Sequence, residues 1–240
     1  MSNPNPLAQR LHRARGYPYA IPRASFVYRD GGPAPFDPAL TRGRTPVLAI
    51  GSNQSPERLA QKFGHDASHV IPVERARLDG FDVVYSAHVT RYGAIPAMLQ
   101  VCADACVAVA VTWLSDAQLA IMHETEIAAA NYRFAELADV RVRLAARHER
   151  PAALAYVSSR GSLTHAGAPV ALSAIACTGR RFAAISTHEV LERVRERVAP
   201  ELEADAFIHR LLDDDAWRDA VTERIAIDAR AFTHPLRELR

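Results

Sequence analysis

The residues best suited to chemistry sit in two short stretches. The first is "IGSNQSPERL", residues 50–59, where Gly51, Ser52 and Asn53 stand between an apolar run and a new helical pattern. Backbone N–H groups in such a turn, and in the first helical turn after it, lack internal partners and can hold a carboxylate or a developing oxyanion. Gly51 admits a ligand close to the backbone, and Asn53 tolerates a left-handed conformation. Taken alone the stretch is better read as an ordinary turn, because Gly, Ser and Asn are common turn residues. Ser52 lacks the Gly-x-Ser-x-Gly elbow of a hydrolase nucleophile, and no histidine can be paired with it from sequence, so binding is expected of it rather than attack.

The second stretch is "LSDAQLAIMHETEIAAANY". A helix turns about 100° per residue; with Leu119 at zero, Met122 falls at about 300°, Glu126 at about 340° and Glu124 at about 140°. Glu126 therefore shares the apolar stripe and Glu124 points away, although Ile121, at about 200°, blurs the stripe. Desolvation disfavours a charged carboxylate, so Glu126 is expected to have a raised pKa and to suit proton transfer near neutrality. The bland alternative is a frayed helix end at which Glu126 reaches water or Arg133.

The elements that must position these residues follow from periodicity. "TPVLAI" reads as a buried strand feeding the turn; Ser55 can cap the next helix, Pro56 suits its first position, Leu59 and Phe63 share a face, and Gly64 ends it. "SHVIPVERARLDGFDVVYSAHV", "AIPAMLQV" and "ACVAVAVTWL" read as consecutive antiparallel strands. Ser115 and Gln118 have capping-box spacing ahead of the Glu126 helix. Strands resume at "ELADVRVRLAARH" and "AALAYVSS", where Val140, Val142 and Leu144 alternate with Arg141 and Arg143, giving one wet and one dry face. After Gly179 the pattern is helical to the end. Residues 1–44, with seven prolines, read as an extended Pro/Arg-rich arm that lies on the body or meets a partner. The expected organisation is this arm, a domain over 45–180 and a C-terminal helical extension over 181–240. The expected class is α+β: a small mixed β-barrel or sheet with an inserted helix, plus C-terminal helices.

Composition excludes several functions. With 49% hydrophobic and 23% charged residues the 240-residue chain is globular in type, and a net charge of +2 without a dense basic run argues against nucleic acid. No apolar stretch approaches the roughly 20 residues of a membrane span, and no secretory signal is evident. Three cysteines are too few for a disulfide scaffold, so a cytoplasmic location is expected. Lys62 is the only lysine; every other basic residue is arginine, a bias that reads as genome composition. His65 and His69 follow the helix-ending Gly64 and lack the intervening Glu of a zincin, and Cys102 and Cys106 have no second pair, so no metal is expected. Asp213, Asp214 and Asp215 read as the cap of the last helix.

Together the turn, the core-facing glutamate and their order resemble the γ-glutamyl cyclotransferase family. That family has a strand ending in Tyr-Gly-Ser-Asn-Leu and a helix with an Arg-Leu pair, here "IGSNQSPERL". It continues with a strand and a helix ending in Leu-Asp-x-x-Glu-Gly and then a tyrosine, here "VAVTWLSDAQLAIMHETEIAAANY". The resemblance covers about residues 45–180 and implies Glu126 as the catalytic acid/base. It also implies that Ile50, Gly51, Ser52, Asn53, Tyr132 and Tyr156 bind substrate. The activity implied is cyclisation of a γ-glutamyl group to 5-oxoproline with release of an amine or amino acid, without cofactor. The partner implied is a small γ-glutamyl or related amide; a homodimer stays open. Three positions depart from the family: Ile50 stands for tyrosine, Gln54 for leucine and Ile127 for the glycine after the glutamate. Losing the phenol at position 50 removes a hydrogen-bonding group beside the loop. The alternatives are a hydrolase or lyase on a related amide using the same pocket, and a non-catalytic binding module.

Overall fold

The structure, a computed structural model, describes residues 6–127, 130–146 and 148–239. Helix α1 (Pro6–Arg15) leads into a hairpin of β1 (Phe26–Arg29) and β2 (Gly32–Pro35). Strand β3 (Thr45–Ala49) runs into a 3-10 turn, Ser52–Gln54, and helix α2 (Pro56–Phe63). Two long strands follow, β4 (Ile71–Tyr85) and β5 (Ala97–Leu114), and then helix α3 (Asp116–Glu126). Next come β6 (Tyr132–Leu137), β7 (Arg141–Leu144), β8 (Glu149–Arg150) and β9 (Ala153–Ser158). After several two-residue strands the chain forms α4 (Thr187–Val198), α5 (Ala204–Asp213) and α6 (Asp215–Ala226), and a last strand, Leu236–Glu238.

The class is α+β, but the sheet is open where a small barrel was one expectation. Its order is 184–185, 171–172, β4, β5, β3, β9, β6, 236–238. The outer edge of β6 is taken by Leu236–Glu238, while the outer edge of β4 is shared by β1, β7 and residue 171. Each edge thus has its own partner, and among the described residues no ladder joins the two.

Alternation along the strands sorts side chains onto two faces. Val47 and Ala49 of β3, Ala110 and Leu114 of β5 and Tyr156 of β9 pack with Leu59 and Phe63 of α2 and Met122 of α3. The intervening Leu48, Val109, Val111, Ala155 and Val157 face a larger core with residues of α4, α5 and α6. Helices α2 and α3 therefore lie side by side on one face, each fixed by its own apolar stripe. The capping box of Ser115 with Gln118 is formed at the start of α3, and Asp214 caps α6 by accepting from the Trp217 amide. Pro56 opens α2 and Gly64, at φ 68°, ends it, whereas the Ser55 hydroxyl occupies the cap position without making a cap hydrogen bond.

Several expectations are corrected. "AIPAMLQV" and "ACVAVAVTWL" are one strand, β5, paired with β4 on both sides of a bulge between Asp79 and Phe81. Residues 6–15 are helical rather than extended: Pro6 is tolerated as a first helical residue, and Ala14 is fully buried in the larger core. Arg10 and Arg15 of α1 pair with Asp213 and Asp205 of α5, and β1 joins the sheet beside β4. The last strand also replaces the helix expected to run to the end. Residues 1–5 of the proposed arm, Ala128, Ala129, Arg147 and Arg240 lie outside the described residues.

Candidate active site

Strand β3 delivers the turn, and α2 carries the chain away from it, so Gly51 to Asn53 form a ledge at the end of the sheet. The turn's own hydrogen bonds use the amides of Gln54 and Ser55, which donate to the carbonyls of Gly51 and Ser52. The amide of Asn53 is not consumed in closing it, and that of Ser52 faces the Tyr17 phenol. Asn53 lies within the 3-10 turn rather than in the left-handed region its residue type tolerates. The ledge borders a cavity of about 840 Å³, lined by Ile50, Gly51, Ser52, Asn53, Glu126, Tyr132 and Tyr156. All seven residues singled out from sequence thus meet at one cavity.

Glu126 closes the far side. The Asn53 Nδ2 amide donates to Glu126 Oε1 at 3.1 Å, joining two stretches 73 residues apart. Asn53 Oδ1 is buried with no hydrogen-bond partner. Glu124 is exposed at the cavity rim, as the helical arithmetic implied.

The expected rise in the Glu126 pKa is overturned. Burial pushes it up, but the Lys62 ammonium, the Asn53 amide and the nearby Arg58 hold the carboxyl below its ordinary value. Lys62 lies on α2 next to the apolar stripe of Leu59 and Phe63, reaches across Met122, whose sulfur it meets at 3.2 Å, and forms an ion pair with Glu126. Its side chain is 1% exposed and that of Glu126 15%. Burial in turn pulls the Lys62 ammonium below its usual range despite the carboxylate. Glu126 therefore rests as a carboxylate, ready to accept a proton.

Sequence reasoning missed Lys62, although its being the only lysine among 29 basic residues was a usable signal. It also missed Tyr17, which follows α1 and supplies a phenol where Ile50 cannot. The Ala97 amide donates to Tyr17 Oη at 2.8 Å, and Tyr132 Oη donates to the Ala97 carbonyl at 3.0 Å. Two phenols thus grip the N–H and C=O of a single residue of β5. Because Tyr17 Oη accepts from Ala97, its own hydrogen is left to point elsewhere, and burial raises both phenols well above their ordinary pKa, so they stay protonated. Tyr156 is used differently: its hydroxyl bonds His123 Nδ1 at 2.9 Å and so braces α3. Gln54 is fully buried, accepts from Arg75 of β4 at 2.5 Å and is not in the cavity wall. Its departure from leucine anchors the loop rather than reshaping the pocket.

His88 also lines the cavity, edge-on to Tyr132, with Nδ1 bonded to Ser86 Oγ at 2.9 Å. Burial, assisted by Arg160, lowers its pKa to about 3, so it is a neutral imidazole at physiological pH. Among the described residues no group of three His, Cys, Asp or Glu side chains could hold a metal ion, and no helix is long and apolar enough to cross a membrane.

The closeness of the ledge makes Gly51 a constraint that can be tested. A Cβ there would fall on the Tyr17 hydroxyl and lie 3.0 Å from Ala97 Cβ. Gly51→Ala is expected to cost about 1–3 kcal/mol of stability by overpacking, read as a shift in the urea midpoint. An unchanged midpoint would show that Tyr17 swings aside freely.

No protein-family model and no curated protein matches this chain. Among solved structures, one described as a gamma-glutamyl cyclotransferase is similar at 19% identity and a TM-score of 0.38, over 48% of this chain. This chain spans 66% of that neighbour's length. At that identity and score the likeness carries no weight for activity.

Proposed function

We propose that the protein is a γ-glutamyl cyclotransferase-like enzyme, with Glu126 as the proton-transfer group and the Gly51–Asn53 ledge as the holder of the substrate's carboxylate or reacting carbonyl. The observation that carries this is the Asn53–Glu126 hydrogen bond at the cavity, which brings the two motif stretches together. In the reaction, the α-nitrogen of the γ-glutamyl group attacks its own side-chain carbonyl carbon, the new C–N bond closes the five-membered ring, and the bond to the leaving nitrogen breaks. The α-ammonium gives up two protons and the leaving nitrogen gains two, so 5-oxoproline and an ammonium product account for every atom without a cofactor. Because the attack is intramolecular, the protein has to hold the folded conformer and move protons. Glu126, ionised at rest, takes a proton from the α-ammonium and returns it to the leaving nitrogen. Asn53 Oδ1, unpartnered, is an acceptor for a second ammonium hydrogen, and the Tyr17 hydroxyl supplies a neutral donor.

A binding module is the second reading, favoured by one observation: a carboxylate held ionised by a buried ammonium is a weak base and a poor acid. Incubation with a panel of γ-glutamyl amines and dipeptides separates the two. The expected result is 5-oxoproline and free amine in equal amounts by mass spectrometry; ligand binding without release from any member would leave the binding module.

A further inference from the structure

One wall of the cavity carries guanidinium groups that form no ion pair with a carboxylate among the described residues. Tyr92, in the loop between β4 and β5, has two guanidinium groups against its ring: Arg13 Cζ of α1 is 5.0 Å from the ring centroid and Arg58 Cζ of α2 is 5.2 Å from it. Both arginines line the cavity, as does the exposed Arg91 beside Tyr92. Among the described residues neither Arg13 nor Arg58 has a carboxylate oxygen within 4.0 Å, and the Nε of each is buried without a partner. The acids of the cavity are engaged elsewhere or exposed: Glu126 pairs with Lys62, Glu223 pairs with Arg160 at 3.0 Å, and Glu124 and Asp219 lie exposed on the rim. Stacking on an aromatic ring holds a guanidinium without using its N–H groups; Arg58 Nη1 donates to Gln61 Oε1 at 3.0 Å and Arg13 hydrogen-bonds the Tyr19 phenol, which leaves the remaining N–H groups of each fork for an anion. Two cations on one ring also repel each other, and an anion bound between their forks would relieve that repulsion.

We propose that Arg13 and Arg58, set by Tyr92, form an anion subsite for a second negatively charged group on the ligand, a carboxylate or a phosphate ester, distinct from the group held by the Gly51–Asn53 ledge. The assignment of that second group to the leaving portion of a γ-glutamyl compound rests on the cyclotransferase reading. The subsite itself rests on the cavity. Arg58 is close enough to Glu126 to act on its charge, so an anion at the subsite sits within one small molecule's reach of the proton-transfer group. The subsite also gives α1 a role: without it the cavity loses Arg13.

The test uses three non-cyclisable probes that share a glutaryl group, which lacks the α-amine: the amides of ethylamine, alanine and phosphoethanolamine. Calorimetry on the wild-type protein is expected to show at least about tenfold tighter binding of a probe whose amine portion carries a second anion than of the ethylamide, which has only the glutaryl carboxylate, with the advantage shrinking as sodium chloride rises. The alanine and phosphoethanolamine arms decide between carboxylate and phosphate. In Arg13→Gln/Arg58→Gln the advantage is expected to vanish while the affinity for the ethylamide stays the same. Equal affinities in the wild type, no binding by any probe, or an advantage that ignores salt would overturn the subsite, whether or not the double variant folds. Turnover of the matching γ-glutamyl compounds is read separately. An anionic preference without 5-oxoproline keeps the subsite and removes the cyclotransferase reading. Equal release from all three compounds, with equal probe affinities, does the reverse.

Discussion

Replacing Glu126 with glutamine is expected to lower turnover by about 10²–10⁴-fold, the usual range for removing a positioned acid/base, while ligand affinity changes little. The same substitution is expected to destabilise the fold by about 3–5 kcal/mol, because it leaves the Lys62 ammonium buried without a counter-charge. The two effects can be separated. Glu126→Gln/Lys62→Met removes both charges, so urea unfolding is expected to recover most of the lost stability while the 5-oxoproline assay stays at the level of the single variant. Unchanged turnover in Glu126→Gln would remove this carboxylate from the mechanism whatever the substrate. Turnover restored in the double variant would mean that the single variant lost activity only through misfolding.

Lys62→Met makes the opposite error, leaving a carboxylate buried without its cation. In the wild type the Glu126 pKa is depressed, so its contribution to stability is present above the unfolded value of about 4.3 and is lost as pH falls through the folded value. Without Lys62, burial is the largest remaining influence and the folded pKa is expected to rise above about 4.3. The contribution of Glu126 is then present below about 4.3 and lost as pH rises through the new value. The stability deficit of Lys62→Met is therefore expected to be about 3–5 kcal/mol at pH 7 and to shrink toward pH 4. Denaturant unfolding across that range measures it. The acid limb of kcat/KM is expected to move to higher pH in the variant, a shift that a merely structural lysine would not cause. A deficit independent of pH, with an unmoved limb, would contradict the ion pair's control of the base.

Much of the site was legible because its signals are local. A capping box is a relation between Ser115 and Gln118, three residues apart. The placing of Glu126 on the stripe of Leu119 and Met122 needs only the helical repeat, and the turn at Gly51 to Asn53 announces itself by residue type. The expected sign of the Glu126 shift failed for a physical reason. Periodicity can say that a carboxylate faces the core, but it cannot say what faces the carboxylate. Likewise Gln54, which looked like a change in the binding loop, is decided by Arg75 of β4, which no local pattern connects to it.

The N-terminal segment shows the same limit. Seven prolines suggested an extended arm, yet residues 6–15 form a helix whose arginines meet acids of α5 about 200 positions on, and Tyr17 enters the site through a hydrogen bond to Ala97. By itself the sequence determined that α2 to α6 and most of the longer strands would form, which faces they bury, and which loop and glutamate could carry chemistry, since these depend on neighbours within a turn or two of chain. The tertiary structure alone decided that α2 and α3 lie together on one sheet face, so that the only lysine meets Glu126, and that α1 reaches the cavity with Arg13. Those outcomes depend on which apolar faces pack together across the chain, and so does the charge state of the glutamate on which the proposed chemistry turns.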